Sequence, residues 1–174
     1  NQHIIIDGGW IPVDKVLELA NSVGAKEIIV PDYYADSFDT RALYQRYAKY
    51  IPQRSRMGVP KASNVEDWIF ELELMQQTAP LHSVGITSRL GNLRTAICEW
   101  INENAEVAFE YHLLGTGSVG ELIELAKYPW IRSINSSLPL ACAQQGMKLA
   151  PDSKVELDWT EKEIDVALAR ANIH

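Results

Sequence analysis

Hydrophobic residues in this chain alternate between two rhythms. Six short apolar runs have the length and β-branched content of buried strands: His3–Trp10, Glu27–Asp32, Arg56–Lys61, His82–Thr87, Val107–Leu114 and Trp130–Asn135. Between them, apolar residues return at helical spacing. Val13, Val16, Leu17, Ala20 and Val23 form one stripe, opened at Pro12 and Asp14 and stopped by Gly24. Phe38–Tyr50 carries Leu43, Tyr47 and Tyr50 on one face. Ser63 and Glu66 read as a capping box ahead of Val65, Trp68, Ile69, Leu72 and Met75. Leu90–Asn102 turns Leu93, Ile97, Trp100 and Ile101 inward, and the next helix does so with Val119, Leu122, Ile123 and Ala126. Leu140–Asp158 lacks a period and reads as a long irregular loop. A terminal helix follows, with Thr160 and Glu163 as capping box and Ile164, Ala167, Leu168 and Ala171 inward.

Strands alternating with helices, with no hairpin signal, predict parallel strands joined by right-handed crossovers. An open doubly wound sheet and a (β/α) barrel both satisfy this. A nucleotide-binding doubly wound sheet places GxGxxG or GxxxxGK[ST] after its first strand, and neither is here. Instead, polar residues end nearly every run: Asp7, Asp32, Lys61, Thr87, His112 and Asn135. Reactive groups drawn from many strand ends are the habit of a barrel. The expected fold class is therefore α/β, of the (β/α)8 TIM-barrel type, with six strand-helix units in this chain. Two N-terminal units are expected ahead of Asn1. Residues 1–174 would form a single partial barrel domain, paired with a second copy or with a partner chain that completes it.

Composition narrows the function. A chain of 174 residues suffices for one domain with a real core. No apolar run reaches the length of a membrane span, and no secretory signal opens the chain, so no membrane partner is expected. Cys98 and Cys142 stand far apart without CxxC or histidine spacing. They point to a reducing, cytoplasmic setting and away from a cysteine zinc site. Neither a metal constellation nor a cofactor motif is visible. A net charge of −7 disfavours broad nucleic-acid binding but leaves room for a local basic groove.

Asp7 and Asp32 end consecutive strands, and in a barrel such neighbours point their carboxylates into one mouth. Close carboxylates push one pKa up, so that one serves as an acid while the other stays ionised. Gly8 and Gly9 would let a flat ligand approach Asp7; otherwise Asp7 only caps a turn. Lys61 would neutralise a carboxylate, hold a phosphate, or be solvated. Gly115-Thr-Gly-Ser118 offers amides to an anion, a helix cap at Ser118, or a corner beside a ligand. His112, inside an apolar run, reads as a core histidine. Arg41, Arg46, Lys49, Arg54, Arg56 and Lys61 interleave with Tyr33, Tyr34, Tyr44, Tyr47 and Tyr50. That is either a track for a single strand or flipped base, or the solvated face of a helix. Arg54, Arg56 and Arg89 are the nucleic-acid contacts expected.

Taken in order, these strand ends resemble the tRNA-guanine transglycosylase superfamily. The likeness is greatest to its phage and DNA-modifying branch, which exchanges guanine in DNA for a 7-deazaguanine. Ile6-Asp-Gly-Gly-Trp10 is similar to the family's Asp-Ser-Gly-Gly-Phe, whose acid works in catalysis and base recognition. Asp32, in Val-Pro-Asp-Tyr-Tyr-Ala-Asp-Ser37, matches the base-reading acid. Met57-Gly-Val-Pro-Lys61 resembles Gly-Ile-Val-Gln, and Ser83-Val-Gly-Ile86 resembles Ala-Ile-Gly-Gly. His112-Leu-Leu-Gly-Thr-Gly117 is similar to Tyr-Leu-Met-Gly-Val-Gly, and Asn135-Ser-Ser-Leu-Pro139 to the nucleophile segment Asp-Cys-Val-Met-Pro.

The resemblance implies a (β/α)8 barrel and a pentosyltransferase without a cofactor. Its partners would be nucleic acid, DNA ahead of tRNA, and a 7-deazaguanine base; a phage protein would work in the cytoplasm of its bacterial host. It assigns Asp7 and Asn135 to the catalytic positions, and Asp32, Lys61, Gly85, Leu114 and Gly115 to the base pocket. Three departures stand out. Asn135 replaces an acid, and an amide is a poor nucleophile for the covalent glycosyl intermediate. Lys61 replaces a glutamine. The cysteine-rich zinc element of the tRNA enzymes is absent from this sequence. Two other readings therefore stand beside the first: a silent nucleobase- or nucleic-acid-binding barrel, and a barrel enzyme binding a small phosphorylated metabolite at Gly115–Ser118.

Overall fold

A computed structural model describes residues 3–9, 11–32, 37–104, 109–150, 152–153 and 165–171. Six strands form: β1 (Ile5–Asp7), β2 (Glu27–Ile29), β3 (Arg56–Gly58), β4 (Ser83–Thr87), β5 (Glu110–Leu114) and β6 (Ile131–Ile134). They make one sheet in the order β1-β2-β3-β4-β5-β6, with every pair parallel. Helices α1 (Val13–Val23), α2 (Ser37–Tyr47), α3 (Val65–Thr78), α4 (Leu93–Asn104) and α5 (Val119–Leu125) supply the crossovers. Helices α6 (Leu138–Gln144) and α7 (Val166–Ala171) follow β6.

Residue alternation along the strands sorts the core into two layers. Ile28, Val84, Ile86, Tyr111 and Leu113 face outward, where they pack with Val16, Trp68, Met75 and Ile97 of the helices. Ile29, Met57 and Val59 face the other way and meet Ile5 and Leu114, forming a small inner core. A flat sheet could not bring its inner faces together. Here Arg132 of β6 reaches Glu27 of β2 at 2.6 Å, so the sheet is curled around its inner layer. The structure is an α/β fold with a curled, six-stranded parallel sheet. Sequential strand order and curl are those of a partial (β/α) barrel, and the described residues do not close it: β1 and β6 remain the two edges.

Several local expectations need correction. The helix at 65 is capped by Asn64, whose side chain accepts from the Asp67 amide, and not by Ser63. The stripe expected at Leu43, Tyr47 and Tyr50 is led by Tyr44, whose hydroxyl donates to the Ala79 carbonyl at 2.6 Å, while Tyr50 is exposed. Val23 is also exposed. Short α5 docks through Leu125 and leaves Ile123 outside. The segment from Leu140 to Asp158 is not all loop. Pro139 in the first turn of α6 starts a helix that buries Leu138, Ala141, Cys142 and Ala143, small residues whose weak period hides it. In α7 Ala169 is buried, with Ala167 and Ala171 exposed. Thr160, Glu163 and Ile164 lie outside the described residues, as do Trp10, Tyr33 and Tyr34.

β6 carries one irregularity that matters for the site. Tyr111 pairs with Ile131 but the next residue, His112, pairs with Ser133. Arg132 is the extra residue of a β-bulge. Without it, Arg132 and Ser133 would point to opposite faces. With it, both turn inward, Arg132 to Glu27 and Ser133 to His112.

Candidate functional site

The C-terminal ends of the strands surround a cavity of about 710 Å³, lined among others by Asp7, Asp32, Lys61, Arg89, Leu114, Gly115 and Asn135. Each polar member has a local reason to be there. Asp7 is the last residue of β1 and turns its carboxylate to accept the Gly9 amide at 3.0 Å, with Gly9 at a φ of +46° that favours glycine. The sharp turn leaves Asp7 exposed at the rim. Asp32 leaves β2 behind Pro31 and meets Lys61 Nζ at 2.6 Å, Lys61 having come past the end of β3. The pair is mostly buried, so the lysine answers the carboxylate's charge inside the cavity rather than in solvent.

Asn135 closes the far side. Its backbone amide donates to Leu113, its carbonyl accepts from Thr116, and its side-chain Oδ1 accepts from the Gly115 amide at 2.5 Å. Asn135 thereby ties the top of β6 to the loop after β5. Gly117 donates to Glu121 Oε2, and buried Arg94 holds Glu121 Oε1 at 2.7 Å together with the Gly115 carbonyl. Burial lowers the Arg94 pKa, and the Glu121 carboxylate opposes that shift. The amides of Gly115, Thr116 and Gly117 thus already have acceptors. The loop is a braced corner and not an anion cradle, which removes the main support for a phosphorylated metabolite. Ser118 does cap α5, accepting from Glu121.

Gly85 does not line this cavity. A Cβ there would stand 2.6 Å from Leu114 Cδ1 and 3.1 Å from Val59 Cγ2. Its bare backbone makes room for Leu114, which forms the cavity floor above it. Of the three arginines expected at nucleic acid, only Arg89 reaches the mouth. Arg56 begins β3 at the opposite end of the sheet and is buried, its guanidinium donating to the Pro80 and Ile51 carbonyls. Arg54 is at that end too, beside His82, Glu110 and Arg132. The basic run at Arg41–Lys61 is therefore not one track: its members are divided between the two ends of the sheet.

That opposite end holds a polar group the sequence did not reveal. Glu27, fully buried, forms an ion pair with Arg132 Nη2 at 2.6 Å, accepts from Ser83 Oγ at 2.6 Å and faces His3 Nε2 at 2.7 Å. Burial works to raise the Glu27 pKa, but Arg132 and Ser83 outweigh it and the carboxyl lies below its usual range. Glu27, His82 and Glu110 also bring ligand-type atoms within 4.8 Å of one another. Arg132 bonds both carboxylates and supplies the positive charge there. His112 sits nearby with Nδ1 2.7 Å from Ser133 Oγ, its pKa lowered to about 4 by burial and then by Arg132. It is a core histidine, as its apolar run implied.

No protein-family model and no curated protein matches this chain. Among the described residues, no helix is long and apolar enough to cross a membrane.

Proposed function

We propose that this chain is a guanine transglycosylase-like protein of the phage and DNA-modifying kind. It would exchange guanine for a 7-deazaguanine in nucleic acid, DNA ahead of tRNA. The observation that carries the reading is the convergence of Asp7, Asp32 and Asn135, from three strand ends, on one cavity with Leu114 as its floor. Those are the positions the family resemblance assigns to catalysis and base recognition. In this reading a full (β/α)8 barrel is completed by two further strand-helix units along the β1 and β6 edges, from the same polypeptide or a partner chain.

The chemistry follows from the acids. Asp32 accepts the ring N–H and exocyclic amino group of a guanine-like base, while Lys61 tempers its charge. Asp7, at the rim, moves the proton that the departing base needs. In the family reaction a carboxylate at the position of Asn135 attacks C1′ as the bond from C1′ to the base breaks, and the incoming base reverses the step. Asn135 offers a neutral amide whose oxygen is already engaged by Gly115. That specific observation favours a second reading, nucleobase binding without turnover.

Exchange of labelled guanine into duplex DNA and into tRNA decides between them, run with the chain as it stands and with Asn135→Asp. Activity in the Asp variant alone is the expected result. Activity in the unaltered chain would overturn the assignment of the nucleophile. Absence of exchange in both, together with guanine binding that Asp32→Asn does not weaken, would overturn the family reading.

A further inference from the structure

The corner after β5 is gripped from two sides at one residue. On the cavity side the Gly115 amide donates to Asn135 Oδ1. From behind, the Gly115 carbonyl accepts at 3.2 Å from Nη1 of Arg94, which reaches it from α4. The same nitrogen donates to Glu121 Oε1 at 2.7 Å, and Glu121 Oε2 accepts from the Gly117 amide at 3.2 Å. Gly115 stands at a φ of +68°, and a Cβ there would lie 2.8 Å from Ser88 Oγ in the turn after β4. Four segments thus clamp the corner, and the bond to Asn135 carries its position into the cavity.

Arg94 sits where an arginine is disfavoured. It is 1% exposed and is the second residue of α4, at the end where the helix dipole repels a cation. Its Nε and Nη2 find no hydrogen-bond partner among the described residues. Each of these lowers stability. A buried ion pair is itself a weak source of stability, because apolar side chains of similar volume often serve as well or better. What the arginine adds is one charged donor that holds both the Gly115 carbonyl and Glu121, and so fixes the corner in direction as well as in place.

We propose that Arg94 and Glu121 are positioning residues for the mouth, and that through Gly115 they fix the side chain at position 135 for its part in base exchange. The step they serve rests on the base-exchange reading; the fixing of residue 135 does not. Asp32 and Lys61 approach the cavity from the ends of β2 and β3 and share no bond with the corner. The pair therefore acts more on the reaction at residue 135 than on capture of the base.

The test removes both charges together. Arg94→Met with Glu121→Gln leaves neither charge buried alone, and the glutamine can still accept from the Gly117 amide, so the fold is kept. Solvent exchange of the Gly115 amide, followed by NMR in the full chain, is expected to quicken about tenfold or more in this double variant, with the amides of β4 and β5 unchanged. A merely structural loss would instead speed the core amides as a group. In the Asn135→Asp chain the same double change should lower kcat for labelled guanine exchange about tenfold or more and move KM by less. Arg94→Lys beside the native Glu121 should restore most of kcat, since both contacts come from one nitrogen and an ammonium has donors for both. A Gly115 amide indifferent to the double change, or a KM effect with kcat untouched, would overturn the proposal. If Asn135→Asp exchanges no base, the base-exchange reading falls, and the Gly115 amide alone decides whether the pair positions residue 135.

Discussion

Arg132 Nη2 lies 2.6 Å from the Glu27 carboxylate although three strands separate theirs in the sheet. In a flat sheet, strands four places apart would be about 19 Å from each other. The contact is therefore a chord across the curl, and it sits on a carboxylate that four different strands or their leads approach. Removing Glu27 leaves Arg132 paired with Glu110, whereas removing Arg132 leaves a fully buried carboxylate without its guanidinium. Arg132→Ala is expected to cost about 3 kcal/mol or more in urea unfolding. Glu27→Leu combined with Arg132→Met should cost clearly less than the sum of the single changes. Strict additivity in that double-mutant cycle would show that the two side chains do not hold the curl together.

His112 predicts an acid sensitivity. Its pKa is lowered from 6.5 to about 4 in the fold, so the unfolded chain binds more protons than the folded one between those values. The neutral histidine's contribution is fully present above about pH 6.5 and is lost as pH falls toward 4. Between pH 7 and pH 5 the loss should come to about 2 kcal/mol. His112→Gln should remove most of that slope in urea midpoints. Glu27, held low, adds its own loss only below its ordinary value of 4.5. An unchanged slope in the Gln variant would contradict the assignment.

Lys61 is expected to restrain Asp32. Its ammonium pairs with the Asp32 carboxylate, and on the proposed reading it would compete there with the N–H donors of a purine. Lys61→Gln releases Asp32 and puts an amide at the base edge, so guanine affinity should rise about tenfold, the scale of one charge-assisted hydrogen bond. Calorimetric titration with free guanine measures it. Weaker binding would mean that Lys61 itself touches the ligand.

Gly85→Ala separates cavity shape from stability. The new methyl would push on the far end of Leu114, which has the cavity to move into. Unfolding should therefore change by only about 1 kcal/mol, while on the proposed base-exchange reading guanine binding is largely lost, because Leu114 would enter the space proposed for the base. A large stability loss with intact binding would reverse the roles given to these residues.

Much of the frame was legible because it is written locally. Runs such as Ile28–Val30 and Val84–Ile86 announce strands, Gly24 ends a helix, and polar strand ends mark the mouth that Asp7, Asp32 and Asn135 share. What stayed hidden depends on partners far along the chain. Glu27 looks like a solvated charge at a strand's start until Arg132 and Ser83 arrive from β6 and β4. Arg56 looks like part of a basic surface until the Pro80 and Ile51 carbonyls fold over it. Gly115-Thr-Gly-Ser118 resembles an anion loop until Asn135 and Glu121 take its amides.

The bulge at Arg132 works as a phase-setter between the two ends of the sheet. It adds a single residue to β6, three positions before Asn135. Every side chain after it inherits the shift, including the one that reaches the Gly115 amide. The face that β6 shows to the cavity is thus set from the opposite end of the sheet, and β6 behaves as a vernier whose zero is Arg132. Deleting that residue would remove the cation from one end while Ser133 and Ile134 keep their partners on β5, so the mouth would keep its face of β6 and lose only the chord to Glu27.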